Sequence, residues 1–183
     1  MIDPLFALLL SVLLGLLLAA ATLHKLTSFD RFAAVLQDYQ LLPSWLCRAA
    51  AWLIVFAEGT LAVGWLSRFG IVWVAPLTAG LFALYGMAIA VNLLRGRVHI
   101  SCGCGLGGGA GGNQLLSWWL VLSNALLVAA CLLPVLPSQQ RPLHPLDWAT
   151  LAAAVLTVAL LHFGASQLLK NRAEIRAWRN PRG

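Results

Sequence analysis

The polarity of this chain changes on a long wavelength. Apolar runs cover residues 4–23, 45–66, 70–94, 115–136 and 146–166, and short polar stretches separate them. Each run is long enough to cross roughly 30 Å of hydrocarbon as a helix. Each is expected to be helical, because lipid offers no partner to an open backbone. The pattern therefore predicts an all-α, polytopic membrane helix bundle with five transmembrane helices in a single integral membrane domain over 1–183. Ala19-Ala20-Ala21 resembles a small-residue cleavage site, but no positive residue precedes the first run, so it reads as a retained span. The stretch "SFDRFAAVLQDYQLLP" has a different period. Phe29, Phe32, Ala33, Leu36 and Tyr39 recur at helical spacing, Ser28 is a candidate N-cap and Pro43 closes the segment. It predicts a short amphipathic helix lying at the membrane interface in the first loop.

Composition agrees with this pattern. Of 183 residues, 61% are hydrophobic and only 10% charged, too few charges to cover a soluble globule of this size. Seven tryptophans, Trp45, Trp52, Trp65, Trp73, Trp118, Trp119 and Trp148, lie toward span ends, where interfacial aromatics are expected. The formal charge of +6 points to orientation in a bilayer, and nucleic acid is not an expected partner.

Alternate loops of a five-span protein share a side. Lys25, Arg31, Arg48, Arg95, Arg97 and the basic tail over 167–183 fall on one side, and only Arg68 and Arg141 on the other. The positive-inside rule then puts the N-terminus in the periplasm and the C-terminus in the cytoplasm of a bacterial inner membrane. The loop over 95–114 falls on the cytoplasmic side with the tail.

That loop, "RGRVHISCGCGLGGGAGG" at its centre, carries the densest candidate chemistry. One residue between Cys102 and Cys104 closes a small, strained disulfide ring, and strain makes a disulfide reactive. Arg95, Arg97 and His99 favour a thiolate electrostatically. Two other readings stay open at this stage. The two thiolates with His99 form a three-ligand metal site, or the stretch is a glycine-rich connector with incidental thiols. Cys47 and Cys131 sit in or beside apolar runs and read as packing thiols.

Glu58 lies well inside the second run, where an ionisable group is a functional candidate by default. It reads as a buried proton carrier or as a structural anchor, hydrogen-bonded to a residue such as Asn124 or Tyr85. Asn92 and Asn124 read as interhelical hydrogen-bonding groups. Lys25, at the end of the first span, reads as a snorkelling topology marker.

The stretches "HKLTSFDRFAAVLQDYQLLP", "AEGTLAVGWL", "LLRGRVHISCGCG" and "WWLVLSNALL" resemble the MauE family of methylamine utilisation proteins, grouped with DoxX-like membrane proteins. The matching positions are Lys25, Phe32, Tyr39, Pro43, Glu58, Gly59, Arg95, Cys102, Cys104 and Asn124. In that family an aromatic residue follows the second cysteine; here Gly105 follows it. The resemblance implies a role in processing, transport or maturation of the small (β) subunit of methylamine dehydrogenase, together with the thioredoxin-like protein MauD. On the cytoplasmic side such a pair suits transfer of reducing equivalents outward; on the periplasmic side it suits oxidation with a quinone as acceptor. A non-catalytic scaffold for the same subunit and a small metal or solute transporter are the alternatives.

Overall fold

The computed structural model describes residues 3–97, 116–137 and 141–179. His99, Cys102 and Cys104 lie outside the described residues. The described chain is all-helical: α1 (Pro4–Thr27), α2 (Phe29–Asp38), α3 (Ser44–Ser67), α4 (Ile71–Leu94), α5 (Trp118–Leu132) and α6 (Pro145–Arg179). At 1.5 Å per residue, α1, α3 and α4 each reach about 36 Å, enough to cross a bilayer. With the 3-10 turn Leu133–Val135 that follows it, α5 is also long and apolar enough. In α6 the described apolar stretch is Pro145–Leu161. The chain is a multi-pass helical membrane protein.

Helix ends follow local chemistry. Asp3 caps α1 by accepting from the Leu5 N–H, and Pro4 fills a first-turn position that needs no N–H donor. Ser28 stands between α1 and α2, but its hydroxyl does not cap α2. It donates backward to the His24 carbonyl, one of the unpaired carbonyls at the end of α1. Pro134 lacks the N–H that an α-helix requires, and the chain tightens to 3-10 geometry there, short of the expected end of the fourth span. Arg68 and Gly70, both in the left-handed region, turn the chain from α3 into α4.

Packing groups the helices in two intimate pairs, α1 on α3 and α4 on α5, joined through α3 and α4. Small residues set the close approaches. A Cβ on Gly15 would stand 2.8 Å from the Leu66 side chain, and one on Gly86 would stand 3.3 Å from Asn124 Cβ. In lipid, where apolar side chains gain nothing by leaving solvent, such backbone proximity supplies the dispersion contact that holds helices together. The main core joins Leu14, Leu18, Leu61, Trp65, Phe82 and Cys131. Among the described residues α6 packs on α1 only.

Trp65 corrects an expectation. The tryptophans at 45, 52, 73, 118, 119 and 148 are exposed, but Trp65 is fully buried. Its indole N–H donates to the Thr78 hydroxyl at 2.9 Å, and Thr78 donates in turn to the Val74 carbonyl. A partner for the polar tip across α3 and α4 lets the ring serve the core and not the interface.

Candidate functional site

The polar centre of the bundle forms where α1, α3 and α4 converge. Lys25, three residues before Ser28 near the end of α1, turns inward. Its ammonium donates to Glu58 Oε1 at 2.5 Å, and the side chains are 5% and 2% exposed. The Tyr85 hydroxyl on α4 donates to the same oxygen at 2.7 Å. The Lys25 ammonium also lies 5.1 Å from the centroid of Phe32 on α2 and 5.4 Å from that of Tyr85, within cation–π range. One carboxylate oxygen therefore collects two donors from two helices, while two aromatic rings flank the cation.

This arrangement revises two readings. Lys25 does not snorkel to the interface. Glu58, one helix away at matching depth, offers a full countercharge, and pairing inside the bundle replaces hydration at its surface. Lys25 therefore also leaves the tally of surface charges that orient the chain, without reversing its sign. Of the two expected partners for Glu58, Tyr85 is found and Asn124 is not. The Asn124 amide donates to the Leu120 carbonyl on its own helix and packs against Gly86. Among the described residues, Glu58 Oε2 and Asn92 Oδ1 are buried without a hydrogen-bond partner.

Helix α2 covers this centre. Phe32 and Ala33 pack on Ala51 and Val55 of α3, while Phe29 stacks on Trp52 with centroids 4.3 Å apart. Arg48 reinforces the contact by pairing with Asp30 at 3.3 Å and lying over the Phe29 ring. Val35, which the sequence pattern did not single out, is buried with Tyr39, Ile89 and Leu116. Cys47 is buried at the start of α3, its thiol directed at the Pro43 carbonyl, and Cys131 is buried in the main core.

Between α2, α3 and α4 lies a cavity of about 290 Å³. Phe32, Tyr39, Ile54, Leu84 and Tyr85 form part of its wall, and Lys25 is its charged lining residue. The two described ends that flank residues 98–115 meet the same region. Arg95 and Arg97 donate to the backbone and side-chain oxygens of Gln40, next to Tyr39. Leu116 packs on Val35, Tyr39 and Ile89. The loops after α1 and after α4 thus share one end of the bundle. At the opposite end Arg141 joins Asp3 at 3.1 Å and Asp147 at 2.8 Å. The hydrogen bond from Arg141 holds the Asp3 carboxyl below the usual carboxylate range, with the Leu5 N–H adding to the effect. Among the described residues no group of three His, Cys, Asp or Glu side chains is placed to hold a metal ion.

Residues 3–137 match the family described as methylamine utilisation protein MauE. The chain is 38% identical over 168 residues to the methylamine utilization protein MauE of Paracoccus versutus, covering 91% of this chain and 88% of that one. It is likewise 38% identical over 179 residues to the MauE protein of Methylorubrum extorquens, with the same coverage of both chains. With the MauE protein of Paracoccus denitrificans it shares 34% identity over 170 residues, 92% of this chain and 89% of that one. No solved structure matches the chain.

Proposed function

The chain belongs to the MauE family of methylamine utilisation proteins, and from that premise we propose that it acts in methylamine utilisation as a membrane thiol–disulfide exchange component. Cys102 and Cys104 cycle between dithiol and disulfide. They exchange with the thioredoxin-like protein MauD during maturation of the methylamine dehydrogenase β-subunit. The chain resides in the bacterial inner membrane with its N-terminus periplasmic and its C-terminus cytoplasmic, as the distribution of basic residues favours.

The observation that carries this reading is the anchoring of the cysteine loop. Both flanks of the loop seat on one wall, Arg97 on Gln40 and Leu116 on Tyr39. Cys102 follows Arg97 by five residues, a covalent tether of at most about 18 Å. A connector needs no such seating; a pair that must meet a partner repeatedly gains from it, because a fixed origin limits the search. The Lys25–Glu58–Tyr85 centre lies under the same wall, and Glu58 acts there as a buried proton carrier or as a structural anchor.

The test is a trapped intermediate. In cells expressing Cys104→Ser, the remaining Cys102 is expected to accumulate a mixed disulfide with MauD, resolved on a non-reducing gel. In the Cys102→Ser/Cys104→Ser chain the adduct and the mature β-subunit are both expected to be lost. Normal β-subunit accumulation in the double-serine strain would refute the exchange role and leave a scaffold. A membrane-impermeant maleimide, applied to intact and permeabilised cells with and without reduction, reads the sidedness of the pair.

A further inference from the structure

We propose that the chain holds one anionic phospholipid, with an acyl chain in the cavity between α2, α3 and α4 and the phosphate on Arg95 and Arg97 at its mouth. The inference goes beyond the exchange role above and uses none of its chemistry.

The cavity has the direction of a lipid tail. Its α4 wall is Leu81, Leu84, Tyr85, Ala88 and Ile89, spaced i, i+3, i+4, i+7 and i+8. Those positions share one helix face and extend about 12 Å along the axis at 1.5 Å per residue. The stripe stops six residues short of Arg95, so it runs from near the end of the bundle toward its middle. Leu41, Leu42 and Leu84 line the cavity and are also exposed on the outside, which opens it sideways. In a membrane-spanning bundle that side meets hydrocarbon. A cavity of roughly 150 Å³ takes the carbons of one benzene ring, so about 290 Å³ takes a chain segment of about ten carbons on the same scale.

Charge decides which end of the lipid enters. Lys25 is the charged residue of the wall, and Glu58 already neutralises it. A phosphate drawn inside would add an unmatched negative charge to a low-dielectric site, at high cost. The rest of the wall asks only for apolar contact. The Tyr85 hydroxyl is committed to Glu58, and the lipid takes no hydrogen bond from either lining tyrosine. An acyl chain meets those terms, and the headgroup stays outside.

The mouth supplies the headgroup site. Gln40 stands between Tyr39 and Leu41, both of them lining residues. Its backbone carbonyl accepts from Arg95 at 3.5 Å, and its side-chain oxygen accepts from Arg97 at 2.5 Å. Both guanidiniums are thereby fixed beside the opening. Each has five N–H donors and gives one to Gln40. Among the described residues neither has a carboxylate at ion-pair distance, although Asp38 lies two residues from Gln40. The C-terminus of α4 offsets roughly half a charge, which leaves the pair positive. Two arginines at the edge of an apolar cleft between spanning helices form a site that selects anionic headgroups. A zwitterionic lipid fills the cavity equally well but gains less at the mouth.

The test titrates the delipidated full chain in detergent with dioleoyl-phosphatidylglycerol or dioleoyl-phosphatidylcholine and counts bound lipid by native mass spectrometry. One phosphatidylglycerol per chain is expected, bound roughly ten-fold more tightly than phosphatidylcholine. Arg95→Gln/Arg97→Gln is expected to abolish that preference and to leave phosphatidylcholine binding unchanged. Ala88→Phe, which fills the cavity, and Leu84→Trp, which blocks its side opening, are each expected to weaken both lipids by about ten-fold or more. Two variants are used so that a folding failure in one leaves the other. Dihexanoyl-phosphatidylglycerol, whose tails are too short to fill the cavity, is expected to bind more weakly than the dioleoyl lipid by a similar factor. Equal affinity for the two headgroups, a preference that survives the arginine substitutions, binding undiminished in both cavity variants, or displacement of the lipid by inorganic phosphate at equal concentration overturns the proposal.

Discussion

Replacing Lys25 with methionine is the most direct way to weigh the buried ion pair. The substitution keeps the length of the side chain and removes its charge. Both partners are almost entirely inaccessible, so Glu58 would be left as a buried charge with only Tyr85 as donor. Breaking a buried pair in this way costs about 3–5 kcal/mol. At roughly 1.4 kcal/mol per decade, that lowers the folded-to-unfolded ratio by about two to three and a half orders of magnitude. Glu58→Gln should cost a similar amount, because it strands the ammonium instead. The double variant Lys25→Met/Glu58→Gln removes both charges and keeps an acceptor for the Tyr85 hydroxyl. It should lie within about 1–2 kcal/mol of the wild type, since a buried pair against a neutral replacement is close to break-even. The assay is reversible unfolding in mixed micelles followed by near-UV circular dichroism, with the four proteins forming a double-mutant cycle. A coupling energy below about 1 kcal/mol, or a double variant whose loss equals the sum of the singles, would show that the two groups do not depend on each other and would refute the argument.

Other consequences are equally concrete. Gly15→Val should destabilise the bundle by about 1–3 kcal/mol, the usual cost of overpacking, because even a single Cβ meets Leu66 at 2.8 Å; a thermal melt of the purified chain measures it. Trp65→Phe should cost more than the ring volume alone explains, by about 1 kcal/mol, since the hydrogen bond to Thr78 is lost with it; Trp65→Phe combined with Thr78→Val should recover part of that loss in the same melt. The Asp3–Arg141 contact should make stability fall with acid. Because the hydrogen bond from Arg141 holds the folded-state Asp3 carboxyl below its ordinary value of 3.8, the contribution is present above that value and lost as pH drops through the lower, folded-state one. Melts across that window should show the loss in the wild type and a reduced loss in Arg141→Gln.

Long apolar runs made the bundle legible, because lipid leaves a spanning backbone no choice but helix. The amphipathic period of α2 was legible for the same reason in miniature: Phe32, Ala33 and Tyr39 are buried as their spacing suggests. What periodicity does not encode is rotation of one helix against another. Lys25 has the position of a snorkelling residue and the surroundings of a core residue, and only the depth of Glu58 on α3 distinguishes them. Trp65 repeats the lesson, since an indole near a helix end is interfacial unless a hydroxyl such as that of Thr78 waits inside. Tyr85 was found as a partner of Glu58, while Asn124, equally polar and equally central in its span, satisfies its amide on its own helix. Ser28 carried the residue type of a cap, but the unpaired His24 carbonyl claimed its hydroxyl. The chemistry of His99, Cys102 and Cys104 remains a statement about residue types and spacing, to which the described residues add the anchoring of both flanks.

The contact between Asp3 and Arg141 closes the four helices α1, α3, α4 and α5 into a ring. An even number of crossings returns the chain to the face where it began, and the ion pair brings the two ends of that circuit within 3.1 Å of each other. The bundle is thus a natural substrate for circular permutation. A short linker from Arg141 to Asp3, with the chain reopened in the exposed turn at Phe69, would start the new protein on the same face as the old. The order of the helices would change while every crossing kept its direction, and α6 alone would lose its place.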